Sequence, residues 1–133
     1  MEKIIDSLKI EYTDVGDGET VFFLHGWGSK KELFAPVIDT VSGKYRAISF
    51  DLPGFGGSDE PPEPWSVDRF ADLCIKFIAS FNVTKVILLG HSFGGRVIIK
   101  TAVRKNLPFE ISKLILVDSA GIMPQRSLLY KIK

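Results

Sequence analysis

A serine with glycines two positions away on either side is the first feature capable of chemistry: Gly90-His91-Ser92-Phe93-Gly94-Gly95. Lys85 to Leu89 before it is apolar and β-branched, and helical periodicity resumes after it at Val97, Ile98, Thr101 and Ala102. A strand, a five-residue turn and a helix are the setting in which Gly-x-Ser-x-Gly becomes a nucleophile elbow. So sharp a turn strains its central residue, and side chains at positions 90 and 94 would clash, which is why both are glycine. The turn lifts the Ser92 hydroxyl over the N-terminus of the following helix, where free N–H groups and the dipole favour a developing anion. Phosphate binding at this turn is disfavoured, because no lysine follows as in Gly-Lys-Ser/Thr and the spacing is not Gly-x-Gly-x-x-Gly.

A second small-residue segment, His25-Gly26-Trp27-Gly28, follows the apolar run Thr20 to Leu24. Both segments end strands at their carboxyl ends, so they share the rim where open α/β sheets bind ligands. The N–H groups of Trp27 and Phe93 are then the candidate oxyanion hole, each donor contributing roughly 3 kcal/mol to transition-state stabilisation. His25 is expected to hold loop backbone, with proton transfer a minor alternative. His91 precedes the nucleophile on its strand, so its side chain is expected to point away from Ser92, packed and hydrogen-bonded. Asp51 is expected to shape a loop, and Asp118 to be a structural residue at a strand end.

Positioning these groups requires a sheet and its covering helices, and 133 residues with 45% apolar content are enough for one such domain. Thr20 to Leu24, Tyr45 to Phe50, Lys85 to Leu89 and Lys113 to Val117 read as parallel strands buried on both faces. Longer helical patterns separate them, which predicts an α/β fold, a mostly parallel twisted sheet with helices on both faces. Leu8, Ile10 and Tyr12 alternate with polar residues as in a half-exposed strand, and Gly16-Asp17-Gly18 predicts a hairpin to the next strand. Helices are expected through Leu33, Phe34, Val37, Ile38 and Val41 with a left-handed cap at Gly43, and from Ser66 along the stripe Phe70, Ala71, Cys74, Phe77, Ile78 and Phe81. A third is expected from Gly94 to about Lys105. Glu60-Pro61-Pro62-Glu63-Pro64-Trp65 reads as a stiff surface connection rather than a PxxP ligand.

The 17 basic and 16 acidic residues leave a formal charge of +1, which argues against nucleic acid or an anionic membrane as partner. The single cysteine, Cys74, cannot form an internal disulfide or build a thiolate metal site, and its place on an apolar stripe marks it as packing. The longest apolar runs are too short to span a bilayer, and the acidic start Met1-Glu2-Lys3-Ile4-Ile5-Asp6 is unlike a secretory peptide, so a cytoplasmic location is expected.

In these segments, taken in order, the chain resembles the α/β-hydrolases over nearly its whole length. His25-Gly26-Trp27-Gly28 is similar to the oxyanion loop, Asp51-Leu52-Pro53-Gly54-Phe55-Gly56-Gly57-Ser58 to the turn after the next strand, and Gly90 to Gly95 to the elbow. Leu116-Val117-Asp118-Ser119-Ala120-Gly121 resembles the strand end that precedes a helical cap in the esterase and carbon–carbon hydrolase branches. The resemblance implies a serine hydrolase acting on an ester, thioester or similar carbonyl of a small molecule, with no metal and no cofactor. In this family the acid and histidine follow the nucleophile in the chain. Both histidines, 25 and 91, precede Ser92, so the triad is incomplete within residues 1–133, and the expectation is an inactive N-terminal part of the domain, without cap or final strands. Marginal stability and self-association through an exposed sheet edge follow. Two alternatives share the same residues: a non-catalytic ligand-binding relative, and a carbon–carbon hydrolase or cofactor-free peroxidase.

Overall fold

In a computed structural model describing residues 1–122, six strands form one mixed sheet of order β1-β2-β4-β3-β5-β6. The strands are β1 (Glu2–Ile5), β2 (Leu8–Val15), β3 (Thr20–Leu24), β4 (Arg46–Phe50), β5 (Lys85–His91) and β6 (Glu110–Val117). β4, β3, β5 and β6 are mutually parallel, while β1 and β2 are antiparallel additions at one edge. The helices are α1 (Ala35–Val41), entered through a 3-10 turn at Lys31–Phe34, α2 (Val67–Ala79) and α3 (Phe93–Ala102).

Alternation along the strands splits the core between two faces. Phe22, Leu24, Ile48, Phe50, Val86 and Leu88 pack with α2 and α3, whereas Val21, Phe23, Ala47 and Ile87 pack with Phe34 and Ile38 around α1. Helices therefore cover both faces, as the α/β reading requires. Phe77 of α2 sits in the middle of the larger cluster, edge-on to Tyr12 and Phe22 at 5.7 and 6.2 Å and tilted on Phe50 at 4.3 Å. A fully buried side chain of this size contributes roughly 1.5–3 kcal/mol by leaving water. Ser66 caps α2 as expected, its hydroxyl accepting from the Arg69 N–H at 3.3 Å. Cys74 is buried on that helix, and desolvation pushes its thiol up to about 12.

Four expectations are corrected. The hairpin joins β1 to β2 rather than β2 to β3: Ile5 pairs with Leu8 across Asp6 and Ser7, whose φ values of 48° and 68° make a tight primed turn. β2 and β3 are separated by β4, which pairs antiparallel with β2 and parallel with β3. The burial of Lys113 to Val117 on both faces does not hold within the described residues; instead the exposed sheet edge expected of an incomplete domain is found at β6, where Leu114, Ile115 and Val117 are 37%, 40% and 43% exposed. Gly43 does not take the left-handed conformation, since the cap of α1 is Ser42 in a helical conformation, and Leu33 and Val37 lie on the exposed side of that short element. α3 also ends at Ala102, three residues before Lys105. The expected start of a cap, Arg126 to Lys133, lies outside the described residues.

Candidate active site

β5 and α3 meet at Ser92, whose φ of 51° and ψ of −114° place a non-glycine residue in a sparsely populated backbone region. Such a conformation costs of order 1–3 kcal/mol and persists only where its surroundings impose it. Here the Ser92 N–H donates to Val117 O at 3.1 Å, and Ser92 O accepts from Ala120 N at 3.0 Å and Arg96 N at 3.3 Å. Serine is a favoured helix cap, yet this side chain makes no capping bond to α3.

The flanking glycines are sterically required. A Cβ at Gly90 would lie 2.6 Å from the backbone of Gly94, and one at Gly94 would run into the carbonyl oxygens of Leu24 and His25. α3 is thereby pressed against the end of β3, which brings the two sequence motifs together. A Cβ at Gly26 would stand 3.2 Å from Ser92 Cβ, so the loop carrying Trp27 abuts the serine. Phe93 begins α3, where the first-turn N–H groups have no partner within the helix. The Trp27 and Phe93 rings meet edge to face at 5.2 Å.

His25 is fully buried with both ring nitrogens engaged: Nε2 accepts from Leu52 N–H at 2.9 Å, and Nδ1 lies 2.7 Å from Gly26 O. A backbone N–H can only donate, so Nε2 is the acceptor and Nδ1 carries the proton to the Gly26 carbonyl. Burial is the main cause that lowers its pKa and keeps it neutral. His25 therefore ties the Trp27 loop to the turn after β4 and has no nitrogen left for proton transfer. His91 departs from the sequence reading. Its Nδ1 is buried beside Gly26, 3.3 Å from where a Cβ on that residue would stand, and finds no hydrogen-bond partner among the described residues. Asp118 directly follows β6 and is exposed, in a left-handed conformation at φ 43°.

Asp51 is fully buried and anchors the same rim from the other side. Its Oδ1 accepts from Lys31 N–H at 2.6 Å, and its Oδ2 from Lys31 Nζ and Gly57 N–H, both at 2.9 Å. Lys31 Nζ also meets Glu11 and Glu32 at 2.9 Å. Burial opposes its charge, but hydrogen bonds to Glu11, Glu32 and Asp51 outweigh that and raise its pKa well above the ordinary lysine value. Sequence reasoning missed Lys31, whose only signal is its place in a polar stretch just after the Trp27 loop. Glu60 to Trp65 is the mostly exposed surface connection expected, and it also walls a cavity of about 490 Å³ with Trp27, Phe55 and Phe70. Among the described residues, no three His, Cys, Asp or Glu side chains are grouped to hold a metal, and no helix is long and apolar enough to cross a membrane.

The family model described as alpha/beta hydrolase fold matches residues 19–131. The chain is 35% identical over 111 residues to a 1-acylglycerol-3-phosphate O-acyltransferase from Arabidopsis thaliana, covering 77% of this chain and 25% of that protein. Its fold matches the crystal structure of a bacterial membrane phospholipase A at a TM-score of 0.87 and 31% identity, covering 96% of this chain and 41% of that one. It matches a meta-cleavage product hydrolase from Pseudomonas fluorescens at 0.85 and 27% identity, covering 96% and 48%. The chain thus spans between a quarter and a half of the length of these relatives.

Proposed function

The chain belongs to the α/β-hydrolase fold family, and from that membership we propose that the whole protein is a serine hydrolase cleaving an ester, thioester or related carbonyl of a small molecule, with Ser92 as nucleophile. The observation that carries this reading is the strained backbone at Ser92 together with a hydroxyl that does not cap α3. Strain at a position held by three backbone hydrogen bonds serves no purpose in a plain strand-to-helix turn.

In the proposed reaction Ser92 Oγ attacks the carbonyl carbon while a general base takes its proton. The carbonyl oxygen becomes an oxyanion held by the Trp27 and Phe93 N–H groups, and collapse expels the alcohol or thiol, which leaves with that proton. Water then releases the acid from the acyl-serine by the same steps. His25 is unsuited as base because its nitrogens are already bonded, so we assign the base and its orienting acid to a segment outside residues 1–133, without which this stretch does not turn over. We place the protein in the cytoplasm, in keeping with its lone buried thiol, and we expect neither metal, cofactor nor nucleic acid.

The names of two relatives, an O-acyltransferase and a phospholipase A, both describe chemistry at an acyl group. Likeness to a meta-cleavage product hydrolase favours carbon–carbon bond hydrolysis as the second reading. Turnover of p-nitrophenyl butyrate by the full-length protein tests the first: Ser92→Ala is expected to reduce kcat by at least about 10⁴-fold. An unchanged rate overturns it, and a vinylogous diketone hydrolysed in preference to any ester favours the second.

A further inference from the structure

The loop that carries Trp27 is held at its two ends and by little in between. It leaves β3 at His25 and enters the 3-10 turn at Lys31. Within it the Ser29 N–H donates to Gly26 O at 3.2 Å, closing a tight turn whose third residue, Gly28, stands at φ 71°, a conformation that suits glycine. Trp27 is the second residue of that turn, so its amide moves with the turn as one unit. A Cβ at Gly28 would meet nothing within 4 Å, and Trp27 is 69% exposed, so packing does not fix the middle of the loop. The Trp27 ring rests on Phe55 and Phe93, but it turns about its own side-chain bonds without moving the amide.

The near end is fixed by His25 and by the contact of Gly26 with Ser92. At the far end Lys31 engages every polar group it has. Its N–H donates to Asp51 Oδ1 at 2.6 Å, its carbonyl accepts from the Ser49 hydroxyl at 3.1 Å, and its Nζ donates to Asp51 Oδ2 and Glu11 Oε2, both at 2.9 Å. Lys31 and Asp51 are the only Lys, Arg, Asp or Glu residues buried among the described residues. Both ends of the loop thus rest on one dipeptide, Asp51-Leu52, because His25 takes the Leu52 N–H and Lys31 takes the Asp51 carboxylate. Asp51 is in turn held by the Gly57 N–H and lies against Gly56, where a Cβ would overlap its carboxylate.

We infer that Lys31 is a positioning residue for the reaction: by pinning the far end of the loop to Asp51, its side chain sets where the Trp27 N–H stands over the Ser92 hydroxyl. The inference rests on the reading of Ser92 as nucleophile and of the Trp27 N–H as an oxyanion donor. Such a donor acts on charge that develops only in the transition state, so misplacing it lowers kcat and leaves ground-state binding alone. A misplacement of about 1 Å costs on the order of 10²-fold in rate. The test uses the full-length protein with p-nitrophenyl butyrate as substrate and two competing ketones. Propyl trifluoromethyl ketone takes the serine oxygen onto its carbonyl carbon, the carbonyl electron pair becoming the oxyanion and the serine proton passing to the general base. Propyl methyl ketone has the same shape and binds without that addition.

Lys31→Met, which keeps the backbone N–H and most of the side chain's length, is expected to lower kcat at least about tenfold while KM stays within about threefold. Inhibition by the trifluoromethyl ketone is expected to weaken at least about tenfold, and inhibition by the methyl ketone to stay within about threefold. Because this change leaves the Asp51 carboxylate buried without its cation, Asp51→Asn is added in a second variant, which removes the charge and restores Tm toward the parent value. The pair still lacks the side-chain tie, so its kcat and its trifluoromethyl ketone affinity are expected to stay at least about fivefold below the parent. The pair also decides the matter should Lys31→Met alone not fold. Recovery of kcat together with Tm, equal weakening of both ketones, or an unchanged kcat in Lys31→Met overturns the inference. Ser92→Ala separates the two readings. Turnover that survives in it removes the nucleophile reading and this inference with it, whereas turnover lost in Ser92→Ala but undiminished in Lys31→Met removes only the role of Lys31.

Discussion

The central rim of the sheet and its β6 edge are built from similar strands but held by different means. At the centre, β3 and β4 are covered on both faces, and the loops leaving them are fastened by buried polar groups: His25 between Gly26 and Leu52, Asp51 between Lys31 and Gly57. At the edge, among the described residues, β6 pairs with β5 alone and leaves Leu114, Ile115 and Val117 more than a third exposed. Strand burial sets where the chain runs, and the polar fastenings set where the loop amides stand. Ser92 lies where the two regimes meet, tied by glycine contacts to the β3 loop and by its N–H to Val117 O of β6.

The contrast is broken most severely by Asp51→Ala. It leaves the Lys31 and Gly57 N–H groups without their acceptor and takes the buried carboxylate from the Lys31 ammonium. The expected loss is about 3–5 kcal/mol of unfolding free energy, measured by urea denaturation; a loss below about 1 kcal/mol would mean the fastening is not what holds the rim. A smaller effect belongs to His25. Its folded-state pKa is lowered by burial, so below the ordinary value near 6.5 the unfolded chain binds a proton that the folded one refuses. Stability from this group is fully present above that pH and falls as pH drops toward the folded value, at up to about 1.4 kcal/mol per pH unit. The difference in that slope between the parent and His25→Gln isolates the contribution, and identical slopes would refute it. Smallest is Ile115→Lys on β6, expected to change stability by no more than about 1 kcal/mol while lowering self-association in sedimentation velocity. A larger loss, or unaltered association, would show the edge to be as firmly packed as the centre.

What the sequence revealed divides along the same line. Gly90, Ser92 and Gly94 were legible because strand, turn and helix are local, and the clash that demands glycine acts within five residues. The four parallel strands were legible from their apolar runs, and the cap at Ser66 from its residue type. Strand order was not, because β4 inserts between β2 and β3 through pairing that no local pattern encodes, so the Gly16 to Gly18 turn was mistaken for a hairpin. β6 carries the apolar composition of a buried strand, and its exposure was legible only through the expectation that the domain is incomplete. Lys31 and Asp51 are 20 positions apart, so neither betrays the other, and the aromatic cavity gathers residues from four segments. At His91 the residue type suggested a satisfied imidazole, which the neighbouring Gly26 does not supply.

The central claim is that the hydroxyl of Ser92 is acylated, and pre-steady-state hydrolysis of p-nitrophenyl butyrate by the full-length protein tests it most directly. The account predicts a p-nitrophenol burst approaching one equivalent per chain, a butyryl group on the Gly90 to Gly95 peptide, and neither in Ser92→Ala. A burst of the same size in Ser92→Ala, or a butyryl group on another residue, would contradict it.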